Sequence, residues 1–225
     1  MTPPTTRVTR RDTHRLIPSR FPPVGILDTV ASPEDLAAVI ELEGWTNDRL
    51  SSELGIILTI PKDEWVMGSP GANAVMAAYC HPHPNGGRFN DGARGAWYAA
   101  LELETAIKES AYRRTQEFLE IGALDQRVEM RQYLADIDAD FHDVLERPKY
   151  DPLYHETSYA AGQQLAAELL AAGSNGVLYS SVRRPPHNCI ACFRPRLVAH
   201  VRPAAHFEYV WRGRPEPEIR ELRAA

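Results

Sequence analysis

Three cysteines in 225 residues are too few for a disulfide framework, and an odd count fits a reducing compartment. An excess of basic charge is missing too. Lys and Arg total 25 against 30 Asp and Glu, a net −5 at neutral pH. A protein that grips nucleic acid by neutralising phosphates leans the other way. No apolar run approaches the ~18 residues of a membrane-spanning helix. Residues 1–14 are polar, so the start does not read as a secretory signal, and the expected location is cytoplasmic. There is no internal repeat and no low-complexity segment. The G-x-S-x-G elbow, the Walker loop and a G-x-G-x-x-G turn between strand and helix are absent, so hydrolase, nucleoside triphosphatase and dinucleotide-fold readings lack their carriers.

What is present suits a folded protein. The chain is 44 % hydrophobic, and at this length it buries roughly 70–75 % of its unfolded surface without staples. Eighteen prolines point to many extended segments. Residues 1–14 read as a flexible tail in which Arg7, Arg10 and Arg11 are solvated. Arg15 to Pro18 is extended, because proline excludes the helical region for the residue before it. Ser32-Pro33-Glu34-Asp35 is a helix start, and helices are expected over 32–43 and 47–54, then a strand over 56–60. Residues 61–95 form a long Gly- and Pro-rich loop with a short helix over 73–79. A loop of that length in a compact domain is often functional.

Next come a strand over 96–100, a helix over 103–119 and a strand over 127–137. A helix over 157–172 follows. Strands over 176–182, 188–193, 197–201 and 207–211 finish the sheet. The fold class is α+β, with mixed or antiparallel sheets and flanking helices. One domain spans 15–212, and 213–225 is a second tail.

Cys189 and Cys192 form a C-x-x-C, and Cys80 precedes His81 and His83. Zinc is the sharp reading. Against it, residues three apart in a strand face opposite sides, and no second pair stands at ligand spacing. Packing is the expected role, and no metal is assigned.

The chemistry concentrates in 86–114. Two glycines before Arg88 let the backbone approach a ligand, and the guanidinium fork suits phosphate. Glu109 stands between Ala106 and Tyr112 near the buried helix face, where an unpaired carboxylate is costly. It is either a salt-bridged structural acid or an active-site acid. Ser180 and Ser181, taken alone, read as turn formers.

Together these residues resemble the RES-domain toxins of bacterial toxin–antitoxin pairs, a family named for an Arg, a Glu and a Ser. Gly86 to Asn90 match its Gly-Gly-Arg-aromatic-Asn motif, and Tyr98 its strand tyrosine. Glu104 to Glu109 match the E-T-A-x-x-E helix, and Tyr179, Ser181, Val182 and Arg183 the Tyr-x-Ser-Val-Arg motif. Arg15 matches an early arginine, and 159–163 a late helix start. The likeness spans about 15 to 210, so the expected domain is RES-like. One position departs: many relatives have His where Arg113 stands.

The resemblance implies a fold like the diphtheria-toxin-type ADP-ribosyltransferases. It implies cleavage of NAD+ by hydrolysis or phosphorolysis, or ADP-ribosylation of a protein. An Xre-like antitoxin would cover the site, in an oligomeric complex. NAD+ is then substrate, with inorganic phosphate as a candidate co-substrate and no resident cofactor. Glu109 would face the ribosyl cation and its 2-hydroxyl. Arg88, with Arg15, would hold the pyrophosphate, and Gly87 and Asn90 belong to the same binding loop. Tyr98 would offer a face to nicotinamide, and Ser181 a hydrogen bond to ribose or phosphate. Competing readings are a silent binding module and, against the charge balance, a ribonuclease.

Overall fold

A computed structural model describes residues 2–19, 26–29, 32, 57 and 60–222. The helices expected over 32–43 and 47–54 and the strand over 56–60 lie outside the described residues, apart from Ser32, Ile57 and Ile60.

Among the described residues, seven strands form one mixed sheet in the order β1-β2-β5-β4-β3-β6-β7. They are β1 (Thr5–Pro18), β2 (Trp97–Ala100), β3 (Asp125–Asp143), β4 (Gly176–Ser180), β5 (Asn188–Cys192), β6 (Ala199–Arg212) and β7 (Glu218–Leu222). Among the described residues, three helices of more than one turn accompany them: α1 (Ala72–Cys80), α2 (Leu103–Glu120) and α3 (Ala160–Ala171). The β3–β4 pair is parallel and the other pairs are antiparallel. Strand β1 pairs with both β2 and β3, which curls the sheet back on itself. The α+β reading therefore holds.

The first correction is the N-terminal tail. Thr5 to Pro18 is a strand that runs along β3 from Thr5–His142 to Pro18–Met130. Its early residues look unpatterned because only Val8 turns inward before Thr13. Its β-branched Thr and Val suit a strand, and its partner lies more than a hundred residues away in sequence. The exposed face is tied by Arg7 Nε and Thr9 Oγ1, which both donate to Asp138 at 3.0 and 2.7 Å. The second correction is the C-terminal tail, where Glu218–Leu222 adds a strand to β6. Third, the strands expected over 197–201 and 207–211 are mostly one strand, β6. Pro203 sits within it at a register shift, where a missing N–H is tolerated.

Strand alternation divides the apolar residues between two cores. In β2, Trp97 and Ala99 enter one core, while Tyr98 and Ala100 face the other. In β5, Cys192 belongs to the first core and Cys189 to the second, so the C-x-x-C sulfurs stand on opposite faces. Helix α2 lies over β6. Ser110 Oγ and Tyr209 Oη are 2.9 Å apart, Trp211 Nε1 donates to Thr115 Oγ1 at 2.9 Å, and Phe118 meets Trp211 edge-on at 4.9 Å. These contacts fix the rotation of α2, and hence where Glu109 points.

Candidate functional site

The Arg88 loop is built by close backbone approaches. A Cβ on Gly86, at φ +70°, would lie 2.2 Å from the Asn90 carbonyl oxygen, so only glycine fits. A Cβ on Gly87 would meet Asn90 Oδ1 at 2.7 Å and Tyr98 Oη at 2.8 Å. The space it leaves admits a hydrogen bond from Tyr98 Oη to Asn90 Oδ1 at 2.8 Å, and the Phe89 N–H donates to the same hydroxyl at 2.8 Å. Asn90 Nδ2 donates to the carbonyls of Asp91 and Arg94. The Asn90 amide is thus spent on shaping the loop. Burial raises the Tyr98 pKa, so its phenol stays protonated.

Arg88 is 8 % exposed. Its Nη1 donates to the carbonyls of Leu153 at 2.7 Å and His155 at 2.9 Å, and its guanidinium lies 4.8 Å from the Tyr159 ring centre. Nε and Nη2 have no hydrogen-bond partner among the described residues. Arg15 Nη1 donates to the Tyr98 carbonyl at 3.0 Å, and its guanidinium lies over Trp97. Burial pushes the Arg15 pKa down to about 10, so it is cationic at neutral pH.

Glu109 has no cationic partner among the described residues. Of the two readings the sequence left open, the salt-bridged structural acid is therefore not what the geometry displays. Its Oε1 accepts a hydrogen bond from Ser181 Oγ at 2.5 Å. Ser181 is fully buried. Its Oγ also accepts the backbone N–H groups of Arg183 at 3.1 Å and Arg184 at 2.9 Å. With one proton given to Glu109 and both lone pairs taken, this hydroxyl has nothing left for ribose or phosphate. That corrects the expected contact: Ser181 orients the carboxylate from behind. The nearby negative charge is felt by its neighbours. Cys189 and Tyr179 have raised pKa values, through burial first and through Glu109 as a further cause.

Arg15, Gly87, Arg88, Asn90, Tyr98 and Glu109 line one cleft of about 1470 Å³. Ser181 stands behind its wall. Arg113, at the departing position, also lines the cleft, but Nε pairs with Glu117 at 3.3 Å and Nη1 reaches the Gly86 carbonyl at 3.4 Å. Glu117 also pairs with Arg114 at 2.6 Å, so one carboxylate serves two guanidinium groups. Arg184 is compensated by Glu102 and Glu104.

A family model for the RES domain matches residues 63–212. The chain belongs to the RES domain family. It is 31 % identical over 200 residues to the uncharacterized protein y4oC of Sinorhizobium fredii (strain NBRC 101917 / NGR234), a match covering 89 % of this chain and 83 % of that protein. A chain in the crystal structure of the M. tuberculosis MbcT–MbcA toxin–antitoxin complex aligns with a TM-score of 0.45 at 12 % identity, over 89 % of this chain and 85 % of that chain. Arg88, Tyr98, Glu109 and Ser181 all fall inside the RES-domain match. Arg15 precedes it, yet reaches the same cleft through the β1–β2 pairing.

The support that α3 gives the arginine loop is not legible in the sequence. Gln163 Nε2 donates to the carbonyls of Asn85 at 2.9 Å and Gly87 at 3.1 Å, and Tyr159 lies beneath the Arg88 guanidinium. A Cβ on Gly162 would sit 2.2 Å from the Arg88 carbonyl oxygen. The signal available was a glycine in the first turn of a helix, where it costs helix stability unless something approaches closely. Gly162→Ala is expected to displace Arg88 at a cost of about 1–3 kcal/mol. In a thermal melt that is a fall of roughly 3–10 °C. An unchanged Tm would show that the loop yields without strain.

Proposed function

We propose that this RES-domain protein cleaves the nicotinamide–ribose bond of NAD+ and acts as a toxin restrained by an Xre-like antitoxin in the cytoplasm. The observation that carries the reading is the Glu109 carboxylate, held on one oxygen by Ser181 and unpaired with any cation among the described residues, in a cleft that also holds Arg88 and Arg15. The toxin role and the antitoxin rest on the family resemblance.

The chemistry asks little of the protein beyond placement. Nicotinamide leaves as a neutral molecule, so no general acid is needed. The ribosyl fragment becomes an oxocarbenium-like cation, and a carboxylate beside it and its 2-hydroxyl stabilises that charge as it develops. Glu109 fills this role. Ser181 fixes Oε1, so the carboxylate does not have to reorganise during the reaction. Arg88 offers Nε and Nη2 to the pyrophosphate from a guanidinium already immobilised by two carbonyls and a ring. Little side-chain entropy is then lost on binding. Arg15 adds a second positive charge, and the locked Tyr98 gives a rigid aromatic wall.

The test is nicotinamide release from NAD+ by the purified chain, with and without inorganic phosphate. Release is expected. If it requires phosphate and yields ADP-ribose 1-phosphate, the acceptor is phosphate. If it proceeds without phosphate, the acceptor is water. No release in either buffer overturns the NAD+-cleavage reading.

A further inference from the structure

The two arginines that follow Ser181 hold its turn against α2 on either side of Glu109. Arg184 reaches toward the start of the helix. It donates to Glu104 Oε2 at 2.5 Å, to Glu102 Oε2 at 2.7 Å and to Thr105 Oγ1 at 3.2 Å. Arg183 reaches the other way. Its guanidinium carbon lies 3.3 Å from the centre of the Tyr112 ring, and its Nη2 donates to the Glu156 carbonyl at 2.5 Å. Tyr112 Oη donates to that same carbonyl at 3.3 Å. Glu104 and Tyr112 are eight residues apart, so the two anchors stand about 12 Å apart along the helix axis. Glu109 falls between them.

Both arginines also give their backbone N–H to Ser181 Oγ, and that oxygen directs its proton to Glu109. A closed ring of contacts results: Glu109 to Tyr112 along one helical turn, Tyr112 to Arg183 by stacking, Arg183 to Ser181 by a backbone hydrogen bond, and Ser181 to Glu109. The two anchors differ in kind. Arg184 is neutralised by two carboxylates on the exposed side of the helix. Arg183 has no carboxylate among the described residues, and its guanidinium lies over an aromatic ring that lines the cleft.

We infer that Tyr112 and Arg183 are positioning residues, whose stack sets the Ser181 turn and so fixes the Glu109 carboxylate against the cleft. This rests on the reading of Glu109 as the reacting carboxylate. The planarity of arginine is what the contact uses. A guanidinium can cover a ring with its face and donate from its edge to a carbonyl, and an ammonium cannot do both in one fixed geometry.

The test is Arg183→Lys in the full chain, with Tyr112→Leu and Tyr112→Phe beside it. Arg183→Lys is expected to lower kcat about 10²-fold, as an ångström-scale displacement of a reacting group does, with KM for NAD+ nearly unchanged. Tyr112→Leu should behave alike, and Tyr112→Phe, which keeps the ring, should recover most of the turnover lost in Tyr112→Leu. A second readout needs no activity. With 13C-labelled glutamate, the Glu109 carboxyl resonance is identified by its loss in Glu109→Gln. It should move in Arg183→Lys toward its position in Ser181→Ala.

An unmoved resonance overturns the inference, even if kcat falls, because Arg183 would then act without shifting the carboxylate. Wild-type kcat in Arg183→Lys overturns it as well. If the wild-type chain releases no nicotinamide, the NAD+ reading fails, and the resonance alone still decides the positioning role.

Discussion

Glu109→Gln is expected to cut nicotinamide release by at least roughly 10²–10³-fold, the usual loss when one group aimed at developing charge is removed. The fold should be nearly untouched. Glu109 is half-buried and has no ion pair among the described residues, and a glutamine Oε1 still accepts the Ser181 hydrogen bond. Shape and packing persist while the negative charge goes. Substrate affinity should change little, since Arg88 and Arg15 remain in place. Kinetics on NAD+ and a thermal melt of the same preparation give the two readouts. Turnover at the wild-type level in a folded Glu109→Gln protein would remove the carboxylate from the mechanism. A joint collapse of Tm and turnover would instead make Glu109 a structural acid.

Much of this arrangement could be read from local pattern. The sequence pattern predicts α2 over 103–119, and it runs Leu103–Glu120; it predicts α1 over 73–79, and it runs Ala72–Cys80. Their apolar spacing is set within one or two turns, so nearby residues suffice to find them. The opposed faces of Cys189 and Cys192 also followed from strand alternation alone. What failed was pairing over distance. Nothing inside Thr5–Pro18 reveals that β3 borders it, because most of its outward residues are polar and their partners, such as Asp138, come late in the chain. The loop at 61–95 showed that a site was there but not its construction. By sequence alone, Gly86 and Gly87 make room for a ligand. In the structure both make room for the loop's own Asn90, and the Gly87 space also for Tyr98. A glycine marks a close approach without saying by what.

Ser181→Ala tests the same confusion from the other direction, and its expected effect is on stability as well as rate. Ser181 is fully buried, and the methyl group removes the hydrogen bonds of three part-buried partners: Glu109 Oε1 and the N–H groups of Arg183 and Arg184. A buried polar group that loses its partner costs about 1–3 kcal/mol. The turn can relax for some of these groups, so a total of about 2–4 kcal/mol is expected, or roughly 5–15 °C in Tm for a chain of this size. Turnover should fall because the carboxylate is no longer fixed. A serine acting as nucleophile predicts the same fall in Tm, but turnover that disappears. The double variant separates the cases further. If Ser181 works only through Glu109, adding Ser181→Ala to Glu109→Gln lowers turnover no further than Glu109→Gln alone, whereas independent roles multiply. Multiplicative losses would return Ser181 to direct contact with substrate. A fall in Tm with no added loss of turnover fixes it as the support behind the carboxylate.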